Sequence, residues 1–102
     1  MALRQPITHE ARTEQRDETL HRTRARAADG AVCKLVVVNV SPHGFMARTE
    51  RDFAVGERLT IELPIAGAFD AEVRWALGGR IGCQLTREIP RARYSAMLVA
   101  MR

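Results

Sequence analysis

Hydrophobic and polar positions alternate with a period of two through most of the chain after residue 18, as in β-strands with one buried face. From Thr19 to Ala27, small and polar residues on one face alternate with Leu20 and three arginines on the other, which predicts a half-solvated strand. The turn dipeptide Asp29 and Gly30 follows. A β-branched run from Val32 to Val40 then predicts a central, buried strand.

The second half of the chain repeats this alternation. Turn formers at residues 39–44 (NVSPHG) end the valine-rich strand, and apolar character resumes at Phe45. Three further strands are predicted at residues 59–63, 69–75 and 81–85. In the second of these strands, Phe69 and Trp75 fall on the apolar face, so we expect both rings in the core.

The spacing of apolar residues changes to 3.6 after Pro90, where Tyr94, Met97, Leu98 and Met101 share one face. This pattern predicts a short C-terminal helix whose first turn tolerates the proline. Five or six short antiparallel strands followed by one helix predict an all-β fold, a closed barrel on which the helix packs.

The N-terminal residues differ in character from the barrel. Residues 1–18 are rich in charge and poor in large apolar side chains, so little anchors them to a core. A chain of 102 residues accommodates one domain. We therefore divide the chain into a flexible N-terminal arm, residues 1–18, and a barrel domain with its C-terminal helix, residues 19–102.

The cationic side chains are almost all guanidinium groups, because Lys34 is the only lysine among the 16 Lys and Arg residues. Guanidinium groups fit both phosphate oxygens and the O6/N7 edge of guanine. The bias and the formal net charge of +4 therefore suit an anionic partner that contains guanine. A GC-rich genome explains the same bias, and composition leaves both explanations open.

The sequence carries no signature of catalysis or metal binding. His9, His21 and His43 belong to no nucleophile or zinc motif, and no glycine-rich phosphate loop is present. Cys33 and Cys83 lie far apart and form no CxxC, so reduced thiols are expected. We expect a protein that is not an enzyme and needs no metal or cofactor. The absence of signal-peptide and membrane-spanning patterns predicts a cytoplasmic protein without membrane insertion.

Two short motifs are notable for their order along the chain. Arg12 and Arg16 form an RxxxR in the arm, and Asn39, Ser41 and Gly44 form an NxSxxG at the end of the valine-rich strand. Each has an ordinary explanation by itself. Arginine is frequent enough here to produce RxxxR by chance, and NxSxxG is also typical of an Asx or Ser turn.

An arginine pair in a polar arm, a polar strand and a valine-rich strand ending in NxSxxG together resemble the PilZ domain family. The resemblance covers roughly residues 12–88 and includes the segments VGERLTIELP, FDAEVRWAL and GGRIGCQL. The first strand departs from the family, because it carries Arg22, Arg24 and Arg26 where members are usually more apolar. A second RxxxR, Arg22 to Arg26, lies within that strand, so the pair in the arm is preferred.

The resemblance implies a six-stranded antiparallel β-barrel that binds the bacterial second messenger cyclic di-GMP. Carried over by position, the ligand-binding residues are Arg12, Arg16, Asn39, Ser41 and Gly44. Guanidinium groups contact phosphates and guanines, so the arm is expected to become ordered over the nucleotide and to relay its presence to a downstream protein partner.

Two other functions stay open. A PilZ-like barrel can act as a protein-interaction adaptor without binding nucleotide, and a small basic barrel can bind single-stranded nucleic acid. The low aromatic share of 5% argues against nucleic acid, because base stacking needs exposed rings and Phe69 and Trp75 are expected in the core.

Overall fold

The computed structural model describes residues 15–102, and within them six antiparallel strands close into a barrel. The strands are β1 (Asp17–Ala27), β2 (Val32–Ser41), β3 (Gly44–Thr49), β4 (Arg58–Leu63), β5 (Gly67–Leu77) and β6 (Arg80–Leu85). Helix α1 (Arg91–Met101) follows them. The predicted six-stranded barrel with a short C-terminal helix is therefore confirmed.

The strands follow the order β1-β2-β3-β6-β5-β4 around the barrel. Sequential strands pair with each other, except β3 and β4, and two pairings between strands distant in sequence complete the sheet. One joins β3 to β6, and the other joins Ala25–Ala27 of β1 to Leu59–Ile61 of β4. The β3–β6 pairing places the β2–β3 turn, which carries the NxSxxG motif, beside the second half of the sheet.

The predicted turn between β5 and β6 is present. Gly78 and Gly79 both have positive φ, 60° and 79°, a backbone conformation that glycine adopts without steric cost. Two such residues form the tight hairpin turn that matches the twist of antiparallel strands. The two consecutive glycines therefore predict this turn because its backbone requires positive φ at both positions.

The barrel interior is filled by aliphatic side chains and phenylalanines. Fully buried residues with the largest side chains are Phe69, Leu35, Ile61, Ile81, Ile89, Met97, Met101, Val37, Val40 and Val73. The prediction that Phe69 lies in the core is confirmed. The prediction that Trp75 lies there is wrong, because its side chain is 41% exposed.

A β-bulge in β5 explains the position of Trp75. Val73 pairs with Cys83, but Trp75 pairs with Gly82, so Arg74 is an extra residue on β5. An extra residue reverses the side-chain alternation beyond it. Trp75 therefore points to the outer face, although strict alternation from Phe69 places it inside.

Some strand limits differ from the predictions. β1 begins at Asp17, two residues before the predicted start, and β5 extends two residues beyond the prediction at each end. β2 is buried on one face only, since Val36 and Val38 are half-buried on the outer face. The predicted boundary at residue 18 falls inside β1, and residues 1–14 of the arm lie outside the described residues.

Helix α1 packs against the barrel through Met97 and Met101, both fully buried. The Tyr94 hydroxyl donates a hydrogen bond to Asp17 Oδ2 at 2.8 Å and lies 3.0 Å from the carbonyl oxygen of Val40. Tyr94 thus links α1 to the start of β1 and the end of β2. In residues 15–102, no helix has the length and apolar character needed to cross a membrane.

Candidate functional site

The NxSxxG motif forms the turn that joins β2 to β3. Ser41 pairs with Gly44, and Pro42 and His43 lie between them. The Ser41 hydroxyl oxygen accepts a hydrogen bond from the His43 backbone N–H at 3.3 Å, as in a serine turn. Ser41 is only 2% exposed, and its hydroxyl proton has no acceptor among the described residues. The serine therefore supports the turn and keeps one donor available for a ligand.

Gly44 is a glycine because β3 approaches β6 closely at this point. A Cβ atom at position 44 would lie 2.5 Å from the carbonyl oxygen of Cys83, which is closer than real Cβ contacts. The φ of Gly44 is not positive, so the requirement is space and not an unusual backbone conformation. The last residue of the motif thus sets the distance between two strands of the site.

Arg16 and Asn39 bring the two motifs together. Arg16 immediately precedes β1, and the next residue but one, Glu18, pairs with Asn39 of β2. The Arg16 Nη1 atom donates a hydrogen bond to Asn39 Oδ1 at 3.3 Å. Arg12, the first arginine of RxxxR, lies outside the described residues.

A cavity of about 460 Å³ opens on the outer face of the barrel beside these residues. Three of the predicted site residues, Arg16, Ser41 and Gly44, line it. Asn39 does not line the cavity, but it accepts a hydrogen bond from Arg16, which does. The remaining lining residues are His43, Phe45, Arg74, Trp75, Gly82, Cys83 and Gln84. We call this cavity the motif cavity.

Trp75 is the main residue of the cavity that the sequence did not predict. Its indole lies over Gly82, since a Cβ atom at position 82 would overlap the ring and approach Cδ1 to 2.8 Å. Gly82 thus leaves the space that the indole occupies. The sequence shows an aromatic residue on the predicted strand at residues 69–75 and a glycine on the next strand. It does not show the bulge that places the two side by side.

The cavity is electropositive and holds neutral polar groups. Among residues 15–102, none that lines it is acidic, while Arg16 and Arg74 both contribute guanidinium groups. Arg74 Nη1 donates a hydrogen bond to Gln84 Oε1 at 2.7 Å, which holds this arginine across the β5–β6 pair. The site therefore favours an anion.

The remaining chemistry of the cavity is limited to binding. Burial raises the pKa of the Cys83 thiol to about 12, so it stays protonated and is a poor nucleophile. Among residues 15–102, no cluster of three His, Cys, Asp or Glu side chains is placed to hold a metal ion. Guanidinium groups, one indole and a free hydroxyl proton suit a ligand that combines phosphate with an aromatic base.

Comparison with known proteins identifies the fold. The chain is similar to a solved structure of the PilZ domain of YcgR from Escherichia coli with c-di-GMP, with a TM-score of 0.57 and 13% sequence identity. The match covers 88% of this chain and 90% of that chain. No family model matches the sequence, and no curated protein matches it either. The chain therefore has the PilZ fold, as its sequence motifs predicted.

Proposed function

We propose that this protein binds cyclic di-GMP in the motif cavity and acts as a receptor for it. The observation that carries the proposal is the convergence of Arg16, Ser41 and Gly44 on one electropositive cavity. These residues come from two motifs more than 20 positions apart in the sequence, and the fold brings them to one place. The volume of about 460 Å³ is in the range of small-ligand sites.

The proposed roles follow from the chemistry of each side chain. Arg16, with Arg12 from the arm, would hold phosphate oxygens and the O6/N7 edge of guanine. Ser41 would donate its hydroxyl proton, and Asn39 would orient Arg16 or use its amide toward a guanine edge. The half-exposed Trp75 would stack on a base.

The second part of the proposal concerns the signal. In the described structure Asn39 Oδ1 accepts a hydrogen bond from Arg16, and both are residues that the nucleotide would contact. Binding would therefore exchange this bond for contacts to the ligand and draw the arm toward the β2–β3 turn. A partner protein whose affinity differs between the two arm positions would detect the change.

Single-stranded nucleic acid is the less favoured ligand. The exposure of Trp75 removes one argument against it, because that ring was expected in the core. However, Phe45, Phe53 and Phe69 are all buried, and a strand-binding surface needs successive exposed rings. One exposed indole in a cavity fits a single nucleotide ligand better.

Isothermal titration of the full chain with cyclic di-GMP tests the proposal. We expect saturable binding of cyclic di-GMP, no comparable binding of cyclic di-AMP, which lacks the guanine edge, and weak binding of an oligothymidylate. No heat with cyclic di-GMP, at protein and ligand concentrations suited to micromolar affinity, would favour the adaptor without nucleotide. Tighter binding of the oligothymidylate would favour the nucleic-acid alternative.

A further inference from the structure

A second and larger cavity lies on the outer face of β1, β2 and β3. It has a volume of about 1050 Å³ and shares no lining residue with the motif cavity. Five of its lining side chains are cationic: Arg51, which follows β3, and four that come from all three strands, Arg22, Arg24, Lys34 and Arg48. We call this surface the cationic groove. Along β2 it lies about 20 Å from the β2–β3 turn, given ~3.3 Å per residue.

The strand register places like charges directly opposite each other in and beside this groove. Arg24 pairs with Lys34 across β1 and β2, and Arg48 pairs with Arg80 across β3 and β6. Arg22 and Arg48 are both neighbours of Val36, from opposite sides. Like charges directly opposite each other in a sheet are destabilising.

These cations have no partner within the described part of the chain. None of Arg22, Arg24, Lys34, Arg48 and Arg80 forms an ion pair or a side-chain hydrogen bond with another residue among 15–102. Their positive charge is therefore not offset by the fold.

Arg51, at the edge of the same groove, shows the contrasting case. Its guanidinium group lies 3.0 Å from Glu57 Oε2 and 3.8 Å from Asp29 Oδ2, and it stacks over the Phe53 ring at 4.3 Å. The pKa of Glu57 is lowered by a hydrogen bond from the Ala54 backbone and by Arg51, so that pair is charged at neutral pH. Arg51 thus has a structural partner, whereas the other four cations of the groove do not.

We propose that the cationic groove binds an extended, acidic segment of a partner protein. Opposite charge on a bound partner would relieve the repulsion between the paired cations and would speed and orient association. The groove is independent of the nucleotide site, so this proposal stands without nucleotide binding.

The lining of the groove favours a peptide over other anions. Val36 lies between Arg22 and Arg48 in one row, so the surface combines charge with apolar area. The lining includes no aromatic ring for base stacking, which disfavours single-stranded nucleic acid.

The spacing of the cations also matches an extended peptide. Arg22 and Arg24 are two positions apart on the same face of β1, which corresponds to about 6.6 Å. Acidic side chains at alternate positions of an extended segment have the same spacing. A segment of this pattern places its carboxylates over successive cations of the groove.

Fluorescence anisotropy of the full chain with a labelled peptide tests the proposal. The probe is a peptide of about eight residues in which Glu and Thr alternate, long enough to span ~26 Å, and the reference peptide replaces Glu with Gln. At about 0.1 M salt, where charges more than ~10 Å away are screened, we expect binding of the acidic peptide only.

Charge-removing variants locate the binding surface. We expect Arg24→Gln and Arg48→Gln each to weaken peptide binding about threefold, the size expected for one exposed ion pair. Arg93→Gln, on the exposed surface of α1, removes the same charge and should leave binding unchanged. Cyclic di-GMP titrations of the groove variants should match those of the parent, which separates this surface from the motif cavity.

A stability measurement distinguishes a binding role from a structural one. Relief of repulsion with Arg80 should raise the melting temperature of Arg48→Gln by about 1–4 °C. A lower melting temperature together with weaker peptide binding would show that Arg48 is structural and would overturn the proposal. The proposal also fails if the acidic peptide does not bind, if Arg93→Gln weakens binding as much as Arg48→Gln, or if an oligothymidylate binds the groove more tightly.

Discussion

Gly44 and Gly82 are two positions of the candidate site where a side chain has no room. A Cβ atom at position 44 would meet the backbone of Cys83, and one at position 82 would overlap the Trp75 indole. The first glycine lets β3 approach β6, and the second leaves space for the ring. The shape of the motif cavity therefore depends on glycine at both positions.

The arginine pair of the arm should dominate the affinity for cyclic di-GMP. We expect Arg12→Ala and Arg16→Ala each to weaken binding by about 1.5–3 kcal/mol, the range for a lost hydrogen bond to a charged group. Thermal melts should change little for Arg16→Ala, because its bond to Asn39 is exposed to solvent. Titration calorimetry measures the affinities.

Arg22→Ala and Arg26→Ala are the matched controls, because they remove a second RxxxR with the same spacing. Both arginines are on the exposed face of β1. Normal nucleotide binding by the Arg12 and Arg16 variants, together with loss of binding by these two, would show that the arm pair is the wrong choice.

Trp75 and Phe69 should respond in opposite ways to truncation. Phe69 is 1% exposed, so Phe69→Ala should destabilise the fold by about 3–5 kcal/mol. Trp75→Ala should leave a folded barrel but weaken nucleotide binding by about 1–3 kcal/mol, the value of base stacking on an aromatic side chain. Melting curves and titrations of both variants provide the comparison. Unchanged affinity in a folded Trp75→Ala protein would remove Trp75 from the site.

At the scale of secondary-structure elements, α1 contacts the barrel next to both motifs. Tyr94 binds Asp17, which follows Arg16, and lies beside Val40, which separates Asn39 from Ser41. Arg102 Nη2 adds a longer contact of 3.7 Å to Asp17 Oδ1. The helix therefore supports the backbone that positions the side chains proposed to bind the ligand.

Removal of the Tyr94 hydroxyl tests this support. Tyr94→Phe keeps the ring but removes the hydroxyl that donates to Asp17, which should cost about 1 kcal/mol of stability. For a domain of this size that lowers the melting temperature by about 4–8 °C. Nucleotide affinity should fall as well, because the start of β1 is less constrained.

Arg102→Gln provides the comparison for Tyr94→Phe. It removes only the longer and more exposed contact to Asp17, so both the melting temperature and the affinity should stay close to those of the parent. Equal effects of the two variants would mean that charge at Asp17, and not the tyrosine hydroxyl, holds α1 in place.

At the scale of the whole molecule, the barrel separates two surfaces. The motif cavity lies beside the β2–β3 turn, and the cationic groove lies nearer the other end of the same strands. We propose that one surface binds the nucleotide while the other holds a partner, and that the arm moves between the two states.

The arm should become ordered when the nucleotide binds. The sequence predicts few anchors for residues 1–18, and cyclic di-GMP would bridge Arg12 and Arg16 to the Asn39–Gly44 turn. In backbone NMR relaxation, order parameters around residues 12–16 should rise from below about 0.6 toward 0.85 on saturation. Rigid values without nucleotide, or flexible values at saturation, would contradict the arm mechanism even if the nucleotide binds.

The sequence was sufficient to predict the barrel because period-two alternation and glycine turns are local properties of the chain. Gly78 and Gly79 formed the predicted hairpin turn, and Phe69 reached the core. The motif residues Arg16, Ser41 and Gly44 line one cavity, and their role in binding a ligand stays a prediction.

The tertiary structure decided which residues share a surface. Trp75 joins the motif cavity only because a bulge at Arg74 reverses the alternation of β5, and a bulge depends on how two strands pair. The cationic groove likewise requires the register that sets Arg24 against Lys34. Such pairings join residues distant in the chain, so they depend on the closed barrel and not on any local pattern.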